Sequence, residues 1–331
     1  MKSPNSSSGV PTVANSAHDA PQSSTPASCY NQAEIYAKSK VTKAPIQSFG
    51  LAIFAGAFIA LAFVFYLTVT TGSGDAPWGL VRLVGGIAFS LGLILVVVCG
   101  GELFTSSVLS TVAWAQKQVT GTELLKCWCR VYAGNFIGAM LMVGLITAAG
   151  MYELDGGNWG LNALKVAQHK LHHSWIQAFS LGILCNMLVC FGVWMTFASR
   201  DMLAKSLLLI LPVAMFVSSG FEHSIANMFM VPMGMTIQAI ASPEFFASLG
   251  VTQEQFADLT VANFVFNNLI PVTLGNIVGG GVVVGLGYWW IEQCKTTLAE
   301  PHKAHYDKVS TSYTQDETTQ HSTERKLTKH S

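Results

Sequence analysis

Apolar residues in this chain gather in long uncharged blocks, not in the period-two alternation of a half-buried sheet. Residues 49 to 69, FGLAIFAGAFIALAFVFYLTV, carry no charge. A helix rising about 1.5 Å per residue needs about that length to cross roughly 30 Å of hydrocarbon. Comparable blocks cover 83 to 99, 131 to 150, 175 to 198, 203 to 217 with 223 to 240, and 261 to 291. The pattern predicts an all-α membrane protein with six transmembrane helices. Two stretches, 78 to 117 and 203 to 240, would each reach about 60 Å as one continuous helix, so the second and fifth helices should break. Gly100 and Gly101 sit in the first stretch and Gly220 in the second, and glycine tolerates the backbone angles that a break needs. Non-helical backbone at that depth persists only where protein buries it or it lines a cavity.

The two breaks resemble each other. CGGELFTSS (99 to 107) and SGFEHSIAN (219 to 227) align Gly100 with Gly220 and Glu102 with Glu222. Gly134, Asn135 and Gly138 match Gly275, Asn276 and Gly279, while Ala52 and Gly56 match Ala178 and Gly182, and Lys43 and Lys170 precede the first and fourth spans. Three spans per repeat is an odd number, so the halves, about 43–150 and 170–292, should be inverted, with a solute site where the broken helices meet. Small residues four apart also suit close packing of helices.

The charges add an orientation. Of 18 Lys and Arg residues, all but Arg82, Lys165 and Lys170 fall on the side that six crossings give to both termini. That bias predicts cytoplasmic termini in a cell inner (plasma) membrane. Segments 1–28 and 293–331 are polar and should be disordered cytoplasmic tails; the first lacks the apolar core of a signal peptide. Residues 29–48 should contain a short surface helix, ending at Pro45, with its lysines toward lipid headgroups. The six-helix domain is then 49–292. Ser242, Pro243 and Glu244 read as the start of a short lid-like helix. The seven cysteines lie mostly in or beside spans and are expected to be free. Cys127 and Cys129 lack the spacing of a zinc knuckle.

His223 is the histidine inside a span, and an ionisable residue at that depth marks a functional site by default. Glu222 points elsewhere on the helix and needs its own partners, for which Lys170 and Asn227 are candidates; by the repeat, Lys43 and Ser107 are candidates for Glu102. Thr105, just past the first break, can approach His223 across the pore in the inverted pairing. Asn186 and Asn276, amides at helix depth, either line the path or join helices. His169, His172 and His173 lack a fourth metal ligand and suit an anion-attracting mouth better than a metal site.

The segments GELFTSS, VAQHKLHHSW, LPVAMFVSSGFEHSIANMFMVPMG and NLIPVTLGNIVGGG together resemble the formate/nitrite transporter family, on its formate-channel side, over roughly residues 30 to 292. The resemblance implies an aquaporin-like protomer in a homopentamer, with a pore in each protomer. It carries the family's central histidine onto His223, its loop threonine onto Thr105, its vestibule lysine onto Lys170 and its pore asparagines onto Asn186 and Asn276. Its apolar constrictions fall on Phe89, Leu93, Leu103 and Phe216. Glu102 stands where formate channels often have Asp. The family's N-terminal segment, here about 30 to 43, implies a pH-responsive gate. The expected function is transport of formate and related small monovalent anions, with no enzyme activity, cofactor, metal or nucleic-acid partner. The alternatives are nitrite or another short-chain acid, or an aquaporin-type pore for neutral solutes, which the absence of Asn-Pro-Ala disfavours. A haem protein would need axial ligands at depth, and only His223 qualifies.

Overall fold

The computed structural model describes residues 26–294, and these form helices joined by short connections. The two expected tails lie, but for their inner ends, outside the described residues. In chain order the helices are α1 (Pro26–Thr42), α2 (Pro45–Thr70), α3 (Trp78–Val98), α4 (Phe104–Ser107), α5 (Thr111–Ala115), α6 (Gly121–Ala148), α7 (Asn158–Leu171), α8 (Trp175–Met195), α9 (Met202–Ser218), α10 (Ser224–Ile240), α11 (Pro243–Ser248), α12 (Val261–Asn263) and α13 (Ile270–Asn276). Five helical runs are long and apolar enough to cross a membrane: Pro45–Thr70, Trp78–Val98, Gly121–Ala148, Trp175–Ala198 and Gln253–Cys294. The chain is a multi-pass membrane protein. α9 and α10, at 17 residues each, are shorter apolar helices set end to end.

Local chemistry sets the boundaries. Pro45 opens α2, where its missing N–H is no loss. Thr120 with Glu123 and Ser174 with Gln177 form reciprocal capping boxes that start α6 and α8. Ser242 caps α11 by accepting from the Phe245 N–H. Within the last run, Phe264–Leu269 and Ile277–Leu286 are π-helical, on either side of α13 and its Pro271. All seven cysteines are free.

α1 differs from the expected surface helix. It ends at Thr42, and it buries Tyr30, Ala33, Ala37 and Lys40, a spacing that puts them on one face. Tyr30 accepts from Gln116, and Tyr36 donates to Ser106 Oγ at 3.1 Å. Lys40 therefore turns into the protein, away from lipid headgroups, because a carboxylate waits for it there.

Two helix pairs approach at glycine. A Cβ on Gly138 of α6 would collide with the Ile53 carbonyl of α2, and one on Gly279 would collide with the Ile183 carbonyl of α8. Without a solvent-driven force between spans, such backbone contact is a main source of cohesion. Gly138→Val should force α2 and α6 apart at a cost of about 1–3 kcal/mol or more. The measurement is the thermal midpoint and yield of the folded protein in detergent; a wild-type midpoint would show that the contact is not tight.

Candidate functional site: two chain breaks and the cavity between them

Both breaks are built alike. α3 stops at Val98, Gly100 takes φ 75°, and the Gly101 N–H donates back to the Val96 carbonyl at 2.8 Å. α9 stops at Ser218, Gly220 takes φ 74°, and the Phe221 N–H donates to the Phe216 carbonyl at 2.9 Å. Positive φ is strained for any residue with a Cβ, which accounts for glycine at both places. The chain then runs extended through Leu103 and His223 before α4 and α10 begin.

An asparagine secures each break. Asn135 accepts from the Phe104 N–H at 2.9 Å and donates to the carbonyls of Ala52 and Glu102. Asn276 accepts from the Ser224 N–H at 2.9 Å and donates to the carbonyls of Gly182 and Glu222. Asn186 donates to the carbonyls of Thr105 and Asn276. Asn276 and Asn186 thus brace backbone, the helix-joining one of their two expected roles, and do not line the cavity described below. Asn135 was visible in the repeat, but nothing in the sequence singled it out as a brace.

A buried carboxylate follows each glycine. Glu222 receives Lys170 Nζ at 3.0 Å, Asn227 Nδ2 at 2.6 Å and Asn268 Nδ2 at 3.2 Å. Glu102 receives Lys40 at 2.8 Å and also Lys43. Lys170, Asn227 and Lys43 are the expected partners; Lys40 and Asn268 are additions. Ser107 is not a partner of Glu102, because its hydroxyl donates to the Leu103 carbonyl. The backbone also corrects the repeat register. The Glu102 N–H donates to Leu51 and the Glu222 N–H to Leu181, and Asn135 meets Ala52 where Asn276 meets Gly182. The first and fourth spans therefore match one turn away from the alignment of Ala52 with Ala178. In the corrected register Lys40 answers to Lys170, and Lys43 answers to His173, which stands 3.8 Å from Glu222.

Between the breaks, His223 and Thr105 meet. The imidazole Nε2 lies 3.0 Å from Thr105 Oγ1, and Nδ1 accepts from the Ala226 N–H at 3.1 Å, capping α10. A neutral ring that accepts at Nδ1 carries its proton at Nε2 and donates to the threonine oxygen. The Thr105 hydrogen is then left to reach outward. His223 is 3% exposed. Its ring lies parallel to Phe216 at 6.0 Å, and Phe216 meets Phe89 edge-on at 6.0 Å. Leu93 and Leu103 are buried nearby in sequence, one turn past Phe89 and just before α4, and neither lines the cavity.

A cavity of about 380 Å³ runs from Trp78, Arg82 and Lys165 down past Lys170 and Phe89 to His223. Lys170 Nζ also sits 5.7 Å from the Phe63 ring centre. Burial holds the imidazole of His169, which lines this mouth, and that of His173 beside Glu222 below their ordinary pKa, which disfavours positive charge on either. His172 instead pairs with Asp258 at 2.7 Å.

Three comparisons bear on this arrangement. The family model described as formate/nitrite transporter matches residues 27–290. The formate channel FocA of Escherichia coli K12 is 55% identical over 266 residues, covering 80% of this chain and 93% of that protein. FocA of Haemophilus influenzae is 49% identical over 262 residues, covering 79% and 92%. Among solved structures, a pentameric formate channel with formate bound superposes with a TM-score of 0.71 at 55% identity, covering 76% of this chain and 98% of the other. An FNT family ion channel gives 0.67 at 25% identity, covering 80% and 99%.

Proposed function

The chain belongs to the formate/nitrite transporter family, and from that premise we infer that it conducts formate across the membrane through its own pore, with His223 and Thr105 as the central polar contact. The observation that carries the reading is the 3.0 Å pair of these two side chains, buried beside Phe216 at the floor of a cavity rimmed by cations. A bare carboxylate in a dry passage faces a desolvation cost of several kcal/mol or more. Hydrogen bonds from neutral donors recover part of it, and transfer of a proton removes the charge. The Thr105 hydroxyl, its oxygen accepting from Nε2–H and its hydrogen left to reach outward, supplies such a donor. An imidazolium would need a proton at Nδ1 and would release the Ala226 N–H, so protonating the ring would loosen the first turn of α10.

The proposed architecture is two inverted three-helix repeats with the second and fifth helices broken, an aquaporin-like plan. Five copies would assemble, as in the pentameric relative. The termini would lie in the cytoplasm of the inner membrane, which makes the α7 side the outer one. Repeats of about 43–150 and 170–292 each hold one of the two buried carboxylates, and the corrected register, which pairs Lys40 with Lys170, moves the start of the first to about 40.

The test is formate flux in proteoliposomes with internal pH recorded at the same time, beside osmotic swelling in glycerol. Formate uptake without glycerol swelling is expected. Swelling in glycerol with no formate flux would point to the neutral-solute alternative.

A further inference from the structure

Lys170 is the expected anion collector, yet its ammonium is already held by Glu222 at 3.0 Å. Glu222 is the one carboxylate among the residues lining the cavity. Lysine and carboxylate neutralise each other at the cavity floor. Burial holds the imidazole of His169, the other titratable group of the mouth, below its ordinary pKa. The net positive charge of the cavity therefore rests on Arg82 and Lys165, which form no ion pair among the described residues.

Arg82 is also posed for more than charge. Its Nε donates to the Ser218 carbonyl at 2.9 Å, and the Ser218 hydroxyl returns a bond to the Arg82 carbonyl at 3.0 Å. The guanidinium carbon lies 5.4 Å from the Trp78 ring centre, and Nη2 lies 2.8 Å from where a Cβ on Gly220 would stand. Three contacts thus fix the plane of the group, while Nη1 and Nη2 have no hydrogen-bond acceptor among the described residues. A fixed guanidinium with free Nη groups matches the two oxygens of a carboxylate, which a lysine does as a point charge only.

We propose that Arg82, assisted by Lys165, is the first binding site for planar two-oxygen anions on the outer side, and selects them before they reach Lys170 and His223. Formate, its larger carboxylate relatives and nitrite share the required geometry; a monatomic anion does not. The proposal rests on the reading of the pore as a formate conduit.

The experiment measures formate flux against concentration for wild type, Arg82→Gln, Arg82→Lys and Lys165→Gln in proteoliposomes. Oligomer integrity is checked by size exclusion. Glutamine can still donate to the Ser218 carbonyl, so Arg82→Gln keeps the brace while removing the charged fork. Its half-saturating concentration should rise about tenfold, the loss of roughly one charge-assisted interaction, with maximal flux within about twofold. Arg82→Lys should recover only part of this. Lys165→Gln should raise half-saturation about twofold at low salt, an effect erased near 0.3 M ionic strength or above. Unchanged half-saturation in Arg82→Gln, or Arg82→Lys equal to wild type, would overturn the proposal. So would a fall in maximal flux at constant half-saturation, since Arg82 would then be only a brace. Each of those results leaves formate conduction standing; loss of that reading would appear in the wild-type protein itself.

Discussion

His223→Phe should lower formate flux by about ten- to a hundredfold and remove its dependence on pH, while leaving the oligomer assembled. Phenylalanine keeps the flat ring beside Phe216, which lies parallel to the imidazole at 6.0 Å. It loses the 3.0 Å contact with Thr105 and the 3.1 Å cap on the Ala226 N–H. Losing a cap costs about 1 kcal/mol, small against the packing of α10, whose Ile225, Met228, Phe229, Met230 and Met233 are fully buried. The larger loss falls on the permeating anion. A hydrogen bond to a charged group contributes about 1.5–3 kcal/mol net, and each 1.4 kcal/mol is about a factor of ten in rate. Without His223 the Thr105 hydroxyl loses the N–H that aims it at the anion, and the ring can no longer pass a proton. Losing that one aimed contact corresponds to a factor of about 10 to 10². Stopped-flow formate flux at several pH values is the measurement. Flux and a pH profile equal to wild type in this variant would remove the ring from the mechanism.

The sequence made the crossings legible because a bilayer tolerates few alternatives: backbone groups with no water nearby must pair within a helix, and uncharged blocks follow. The breaks were legible for a related reason. Glycine followed by glutamate inside an apolar run makes sense only where the helix stops, and Gly100 and Gly220 indeed carry positive φ. From the likeness of the two breaks came the meeting of Thr105 with His223. What the sequence concealed was register. Ala52 and Gly56 were aligned with Ala178 and Gly182 as small residues four apart, but small residues recur on every turn of these spans and fit equally well one turn over. The backbone contacts of Glu102 with Leu51 and Glu222 with Leu181, together with the bonds of Asn135 to Ala52 and Asn276 to Gly182, fix the choice. That slip hid Lys40 as the counterpart of Lys170. Asn268 was hidden differently: it lies in the π-helical Phe264–Leu269, where wider turns rotate a side chain off the face that 3.6-residue periodicity assigns. α1 gave a weak pattern because the surface that buries it is assembled from remote pieces, including Gln116 and Ser106.

Glu222→Ala should leave little or no folded oligomer. The carboxylate is 2% exposed and holds three donors, at 3.0 Å from Lys170, 2.6 Å from Asn227 and 3.2 Å from Asn268. Removing it strands a buried ammonium, a loss of about 3–5 kcal/mol, and leaves two amides short of an acceptor. Total stability of about 5–15 kcal/mol for a folded domain does not comfortably absorb such a loss. The cost comes from the abandoned partner more than from the pair itself, so Glu222→Gln combined with Lys170→Met, which neutralises both ends, should recover oligomer that Glu222→Ala does not. Glu102→Ala should do less damage, because one of its two partners, Lys43, has a side chain 25% exposed and can regain water. Yield and thermal midpoint of the purified oligomer rank the three variants. Glu222→Ala melting at the wild-type temperature would mean that the buried pair contributes nothing to holding the second break, and the double variant falling below Glu222→Ala would mean that the lysine does not need its partner.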